Sequence, residues 1–279
     1  MKVKFWGVRG SIPIFCPKNT KYGGNTSCIE VNCDDNTIIL DAGTGIMPLG
    51  IDIVDGNSVR ENNKKQLYIF FSHVHWDHIQ GFPFFRPAFD SEFEINLYST
   101  LHKDVDIECA LRGQMSPPFF PIQLKDMSAS MNFNNIISGE NVQIGNVAVK
   151  SISLDHPDKS LGYKITCENK SVAYISDHEH TDKSHQRIVD FLKGTNLVIF
   201  DAHYTPEEYS GLDGNGGRKG WGHSTWEEAV ALCREAKIDQ LALTHHGRED
   251  SGVDRIELEA QNGFRNTIAA YEGLEINVK

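Results

Sequence analysis

The chain has 279 residues, 39% of them hydrophobic, and a formal net charge of −11. That length suits one large domain, expected to span residues 1–279, with enough apolar material for a substantial core. The acidic balance argues against a nucleic-acid polymer as partner, because phosphate backbones call for basic patches, but it allows a small anionic substrate whose charge is neutralised locally by metal ions.

No apolar run approaches the length of a membrane span, so no membrane partner is expected. The start, Met1-Lys2-Val3-Lys4-Phe5-Trp6, goes straight into strand-like alternation without a signal peptide, which points to the cytoplasm. The cysteines Cys16, Cys28, Cys33, Cys109, Cys167 and Cys233 form no CxxC pair and several sit in apolar patterns, so they read as reduced core residues.

Val3 to Trp6 is the first expected strand. Gly7, Gly10, Gly23 and Gly24 then punctuate a loop carrying Arg9, Ser11 and Asn25-Thr26-Ser27. Cys28 to Cys33 and Thr37 to Leu40 read as strands, the second ending in Asp41-Ala42-Gly43, where a carboxylate can brace a neighbouring loop through its N–H groups. Asp55 to Lys65 is polar and reads as a surface insertion. Leu67 to Phe71 is a buried strand, Glu94 to Tyr98 another, and Asp104 to Arg112 a helix. Ser116-Pro117-Pro118-Phe119-Phe120-Pro121 cannot form a regular element, yet its phenylalanines want burial; it walls a pocket, meets a partner subunit or packs as a loop on the core. Asn141 to Ser153 reads as two strands around Gly145, Leu161 to Cys167 and Ser171 to Ile175 as a hairpin, Leu197 to Phe200 and Leu241 to Thr244 as apolar strands, and Ile276 to Val278 as the last strand. Helices are expected to close at Ile188 to Lys193 and to run from Thr225 to Ala236 with Ser224 as cap. Two batches of strands with helices between and after them fit a sheet-on-sheet core covered by helices.

The chemistry collects where apolar strands end. His73-Val74-His75-Trp76-Asp77-His78 offers three imidazoles and a carboxylate within six residues, the ligands that zinc and similar divalent metals prefer. His73 and His75 can share one face of an extended segment, and a turn there would aim Asp77 and His78 at a second position nearby. His156, Asp177, Asp201 and the pair His245-His246 each follow an apolar strand, with His178 and His180 close behind Asp177.

The pattern His73-x-His75-x-Asp77-His78 after an apolar strand resembles the signature of metallo-β-lactamase-fold hydrolases. The wider resemblance, from Val3 to Val278, is to the branch that includes ribonuclease Z and the cyclic nucleotide phosphodiesterases (anti-Pycsar-like). It implies an α+β fold, an αββα sandwich of two mixed sheets packed face to face with helices outside. It implies two divalent metal ions per chain, zinc first with manganese or iron as alternatives: one held by His73, His75 and His156, the other by Asp77, His78 and His245 (preferred to His246), with Asp177 bridging. His178 and His180 are then supporting or surface residues. Asp201 and His223, the latter in Gly222-His223-Ser224-Thr225, match the carboxylate and histidine that serve ribonuclease Z-like enzymes as an acid pair, although ribonuclease Z usually has glutamate where this chain has Asp201. The expected catalytic residues are therefore Asp77, Asp201 and His223.

Ribonuclease Z grips tRNA with an arm inserted between its third histidine motif and its bridging aspartate. Here twenty residues separate His156 from Asp177 and a hairpin consumes them, so no arm fits. The expectation is a small phosphodiester substrate, a 3′,5′-cyclic nucleotide above all, with the glycine-rich segment around Arg9 and Tyr22-Gly23-Gly24-Asn25 either reaching the phosphate or base or packing beneath the metal-binding turn. An armless RNA endonuclease and a non-catalytic sensor are the alternatives, and a homodimer is expected from the Ser116–Pro121 segment and from the dimers among similar hydrolases.

Overall fold

The computed structural model describes residues 1–15, 21–56, 65–247 and 249–279. Cys16 and most of the expected Asp55–Lys65 insertion lie outside the described residues.

Two seven-stranded mixed sheets pack face to face. The first holds β1 (Lys2–Gly7), β2 (Cys28–Cys33), β3 (Asn36–Leu40), β4 (Gln66–Phe70), β5 (Glu94–Ser99), β6 (Ser130–Asn135) and β14 (Glu275–Asn277), in the order β14-β1-β2-β3-β4-β5-β6. The second holds β7 (Asn141–Ile144), β8 (Val147–Leu154), β9 (Ser160–Cys167), β10 (Lys170–Ile175), β11 (Leu197–Asp201), β12 (Gln240–Thr244) and β13 (Thr267–Ala269), in the order β13-β12-β11-β10-β9-β8-β7. Alternation along the strands explains the layering: β1 buries Val3 and Phe5 on its inner face, where they meet Tyr163, Ile165 and Val172 of the opposite sheet.

Helices cover both outer faces. α1 (Ile46–Val54), α2 (Trp76–Ile79) and α3 (Ile107–Gln114) lie on the first sheet and bury Leu49, Ile79 and Leu111 there. α4 (Asp182–Leu192), α6 (Trp226–Ala236) and α7 (Asp250–Gly263) cover the second with Ile188, Leu232 and Ile256, while α5 (Pro206–Ser210) is a single surface turn. Thr225, not Ser224, caps α6: its hydroxyl accepts from the Glu227 N–H, and Glu228 reaches back to the Thr225 N–H. α1, α7, β6 and β13 carry weaker sequence signals than the other elements.

This topology places the site. β3 and β4 are parallel, as are β10, β11 and β12, and β8 runs in the same direction as β10 because both are antiparallel to β9 between them. Six strands thus bring their C-terminal ends, at Asp41, Ser72, His156, Asp177, Asp201 and His245, to one edge of the sandwich, the edge where ligands collect in open α/β sheets.

One expectation is corrected. Cys33, at the end of β2, and Cys167, at the end of β9, are joined in a disulfide across a sequence separation of 134 residues. The pairing depends on how two distant strands face each other, which no local spacing reveals. Cys28, Cys109 and Cys233 are free, and Cys109 is exposed rather than in the core.

Candidate metal centre

The turn after β4 is built around a buried carboxylate. Asp41 Oδ1 accepts the Ser72 N–H (2.7 Å), and Oδ2 accepts the Ser72 hydroxyl (2.9 Å), the Tyr174 hydroxyl (2.8 Å) and the His78 Nδ1–H (2.8 Å). With Nδ1 committed, His78 turns Nε2 towards Asp77 Oδ2 and Asp177 Oδ2, 3.2 Å from each. His73 Nε2 lies 3.8 Å from Asp177 Oδ1. Both Nε2 atoms are buried without a hydrogen bond.

Four groups of ligand atoms close up here, each within 4.8 Å: His73, His75 and His156; His73, His78 and Asp177; Asp77, His78 and His245; and, sharing His245, Asp201, His203 and His223 with it. His245 places Nε2 3.1 Å from Asp77 Oδ2 and 3.4 Å from Asp177 Oδ2. His246 turns away, donating from Nε2 to the Ala270 carbonyl (2.9 Å) and packing on Tyr22. Asp41, Asp177 and His245 all have left-handed backbone, with φ of 60°, 55° and 62°. Non-glycine residues adopt that region at a cost, and such strain concentrates where side chains must be aimed. Gly10 makes room for the His245 ring and Gly222 for that of His156, since a Cβ at either would stand within 2.3 Å of the imidazole.

Charge divides the cluster. Burial, then the neighbouring His78, holds His73 well below the ordinary imidazole range, and burial pushes His156 down to about 4. Burial acts the same way on His78 and His245, but carboxylates overrule it: Asp77, Asp177 and Asp41 raise His78, and Asp177, Asp201 and Asp77 lift His245 to about 9. Burial opposes ionisation of Asp77 and Asp177, and the surrounding imidazoles nevertheless keep both carboxylates ionised. Bare imidazole nitrogens, two ionised carboxylates and ligand atoms in contact fit a pair of divalent cations, which would take the place of the protons now shared among them.

Asp201 and His223, expected as an acid pair, meet beside this cluster. His223 Nδ1 donates to Asp201 Oδ2 (2.7 Å) and lies 3.7 Å from Asp177 Oδ1. Burial works against the imidazolium, but Asp201 prevails and the His223 pKa is raised. His203, which sequence reasoning passed over, stacks on the His223 ring at 4.6 Å and sets Nδ1 3.0 Å from the His245 carbonyl. It lies two residues past the end of β11, the same signal that marked the other site residues.

Asp158 was also missed. Its Oδ2 lies 3.2 Å from His75 Nε2, leaving Nδ1 as the nitrogen available to a metal, and Lys103 holds its Oδ1 (2.5 Å). His178 is buried and pushed down to about 3 by burial and the nearby His180, while His180 pairs with His185 (3.1 Å); neither joins the ligand groups. Arg9 is fully buried, donating from Nε to the Gly23 carbonyl (2.7 Å) and pairing with Asp250 (2.6 Å). Tyr22 bonds Asp254 and Asn25 bonds Glu272. Of the two sequence readings of this segment, the structure has the packing one: the Ser11 N–H donates to Asp77 Oδ2 (2.8 Å) from beneath the turn.

Residues 36–246 match the family model of the β-lactamase superfamily domain. The chain belongs to that family, as a metallo-β-lactamase-fold hydrolase of the ribonuclease Z-like branch. Ribonuclease Z of Bacillus subtilis (strain 168) is 22% identical over 268 residues, covering 75% of this chain and 80% of the relative. That of Haloarcula marismortui is 21% identical, covering 100% and 97%. Among solved metallo-β-lactamase folds, YhfI from Bacillus subtilis superposes with a TM-score of 0.71 at 18% identity (99% and 98% covered), and the human short-form tRNase Z with 0.68 at 16% (100% of each). A diphosphatase of the PhnP family superposes with 0.66 at 18%, covering 100% of this chain and 98% of that one.

Proposed function

We propose that this hydrolase is a dinuclear metal-dependent phosphodiesterase acting on a small phosphodiester, foremost a 3′,5′-cyclic nucleotide. The observation that carries this reading is the Asp201–His223 pair at 2.7 Å, set against the cluster of His73, His75, Asp77, His78, His156, Asp177 and His245. Expelling a ribose oxygen requires a proton; expelling the leaving group of a β-lactam or thioester requires it less. Zinc would suit the imidazole-rich donor set: His73, His75 and His156 would hold one ion and Asp77, His78 and His245 the other, with Asp177 available to both. When bound, the ions supply a Lewis acid for the phosphoryl oxygens and acidify a water nucleophile.

The chain's own residues do the rest. Asp201 fixes the His223 ring and stabilises its charged form, so that Nε2 carries the proton that passes to the departing oxygen. Asp77 and Asp177 orient the centre through the imidazoles they contact. The small-substrate reading is supported by the β9–β10 hairpin, which fills the stretch between His156 and Asp177 where ribonuclease Z carries its arm, and by the net charge of −11. The ribonuclease Z relatives favour an armless RNA endonuclease as the second reading; the acid pair speaks against a non-catalytic sensor.

Purified, metal-loaded protein should hydrolyse cyclic nucleotides in a screen that includes linear dinucleotides and precursor tRNA, with products identified. Cleavage of precursor tRNA alone would replace this reading with the second one, and no turnover of any of them would return the sensor.

We also propose a homodimer built on the Ser116–Pro121 segment. Phe119 and Phe120 join Trp76 and Phe84 around a cleft of about 690 Å³, with Phe119 82% and Trp76 72% exposed, an apolar surface of the kind that marks interfaces. A monomer by sedimentation at high micromolar concentration, with full activity, would remove the dimer. A cytoplasmic location goes with a nucleotide signal as substrate, and among the described residues no helix is long and apolar enough to cross a membrane. The Cys33–Cys167 disulfide weighs the other way, because such bonds are rare in reducing compartments.

A further inference from the structure

Between Tyr209 and His223 the chain makes a glycine-rich excursion that ends on the acid histidine. Its outer part is self-contained: the Arg218 N–H donates to the Tyr209 carbonyl (3.0 Å), and the Arg218 guanidinium pairs with Asp213 (3.1 Å). Its neck is held differently, by the carboxylate of Glu179. Glu179 Oε1 accepts the Tyr209 hydroxyl (2.8 Å) and the Gly220 N–H (2.8 Å), and Oε2 accepts the Gly220 N–H (2.9 Å) and the Gly222 N–H (3.0 Å).

Glu179 stands two residues beyond Asp177, and its own N–H donates to the Asp155 carbonyl (2.7 Å), beside His156. The flanking residues grip the other end of the excursion: the Ser224 hydroxyl donates to the His178 carbonyl (2.5 Å) and accepts the His180 N–H (3.0 Å). His223 therefore sits between two anchors, both supplied by residues 178–180. Gly222 leaves it little slack, since its φ is +88° and a Cβ there would stand 2.2 Å from the His156 ring.

We propose that Glu179 is a positioning residue for the acid step: a carboxylate clamp on the neck of the excursion that ties His223 to the strand end bearing Asp177. The proposal rests on the acid role of His223 given above. An ionised acceptor binding backbone N–H groups makes strong, directional bonds, and general-acid catalysis depends on holding the donor within hydrogen-bond reach of the leaving atom. Glu179 itself contacts neither the reacting centre nor the ligand groups.

The test uses full-length, metal-loaded protein carrying Glu179→Ala, Glu179→Gln or Tyr209→Phe, compared with wild type and His223→Ala. Opening of the neck is read without turnover, as the rate of tryptic cleavage after Arg218 and Lys219, which follows the population of the locally open state. Glu179→Ala should speed it by about tenfold or more, and Glu179→Gln, which keeps carbonyl-oxygen acceptance, by less. Tyr209→Phe removes one donor and should have the smallest effect; it and Glu179→Gln carry the test if the alanine variant does not fold. Catalytic geometry is read as the dependence of kcat on leaving-group basicity across a series of phosphodiesters: Glu179→Ala should steepen it in the direction of His223→Ala, with metal content unchanged. Unaltered proteolysis, an equal loss on good and poor leaving groups, or loss of metal overturns the proposal. If wild type cleaves no cyclic nucleotide, the function reading fails, while proteolysis and the leaving-group series still decide the clamp.

Discussion

The floor and the mouth of the metal cluster are built on opposite terms. On the floor, Asp41, His78, Asp177 and His245 are almost wholly buried, and each imidazole is matched to a carboxylate. At the mouth, the His75 side chain is 44% exposed and its partner Asp158 39%, while His156 has no carboxylate partner among the described residues. The floor fixes geometry through hydrogen bonds that water cannot replace. The mouth keeps imidazoles that solvent and substrate can reach, and burial holds that of His156 neutral. A turnover site needs both: ligands that do not move and coordination positions that can be vacated.

The largest effect should come from His223→Ala, on the nearly buried imidazole paired with Asp201 beside the cluster. Turnover of a cyclic nucleotide should fall about a hundred- to ten-thousand-fold with metals retained, and much less on bis(4-nitrophenyl) phosphate, whose leaving group needs little protonation. Equal losses on both substrates would mean that His223 positions substrate or supports the metals instead.

On the floor, Asp41→Ala should act on folding. It strands the Ser72 N–H and hydroxyl, the Tyr174 hydroxyl and His78 Nδ1, and removing one partner from a buried charged network costs roughly 3–5 kcal/mol. Urea unfolding should show it; a change below about 1 kcal/mol would mean that the floor is not rigid in the sense argued here.

Asp158→Ala is the matching change at the mouth. Loss of an outer partner of a ligating histidine typically weakens metal binding about 10–100-fold, whereas exposed ion pairs contribute about 0–1 kcal/mol to stability. Competition with a chromogenic chelator should therefore register the variant while urea unfolding scarcely does. An unfolding shift as large as that of Asp41→Ala would erase the distinction.

The last test is a pH profile of the metal-free protein, which sets the two regions against each other in one measurement. His245, raised to about 9, contributes stability that is complete below about pH 6.5 and is lost as pH rises through 9. His156, lowered to about 4, contributes stability that is complete above about pH 6.5 and is lost as pH falls through 4. Floor and mouth thus pull in opposite directions, each with a slope of up to about 1.4 kcal/mol per pH unit, and stability should be greatest near their crossing. His245→Gln should flatten the alkaline limb and His156→Gln the acid one; a limb that keeps its slope would remove that histidine as its cause.

Much of this was legible in the sequence, for a physical reason. A contiguous His73-to-His78 turn and single polar residues just past apolar runs mark strand ends directly, and parallel packing then gathers those ends without further information. What was not legible depends on register or on distant partners. Arg9 looks like a phosphate ligand until its guanidinium is found buried against Asp250. Asp158 and Glu179 look like ordinary loop acids, because their partners His75, Tyr209 and Gly220 lie elsewhere in the chain. His203 followed the strand-end rule but was hidden by the stronger claim of Asp201 beside it. α7 went unread because its buried positions, Val253, Ile256 and Ala260, form a narrow stripe in an otherwise polar stretch.

The disulfide has a mechanical consequence. β2 and β9 run opposite to the strands that carry the ligands, so Cys33–Cys167 fastens the two sheets at the end remote from the metal cluster. At the other end, His73, His75, Asp77 and His78 come from the first sheet and His156, Asp177 and His245 from the second. The sandwich is a pair of tongs riveted at the handle, and any metal ion held as proposed would be gripped by both jaws. Metal held as proposed would close the frame into a ring fastened at two points.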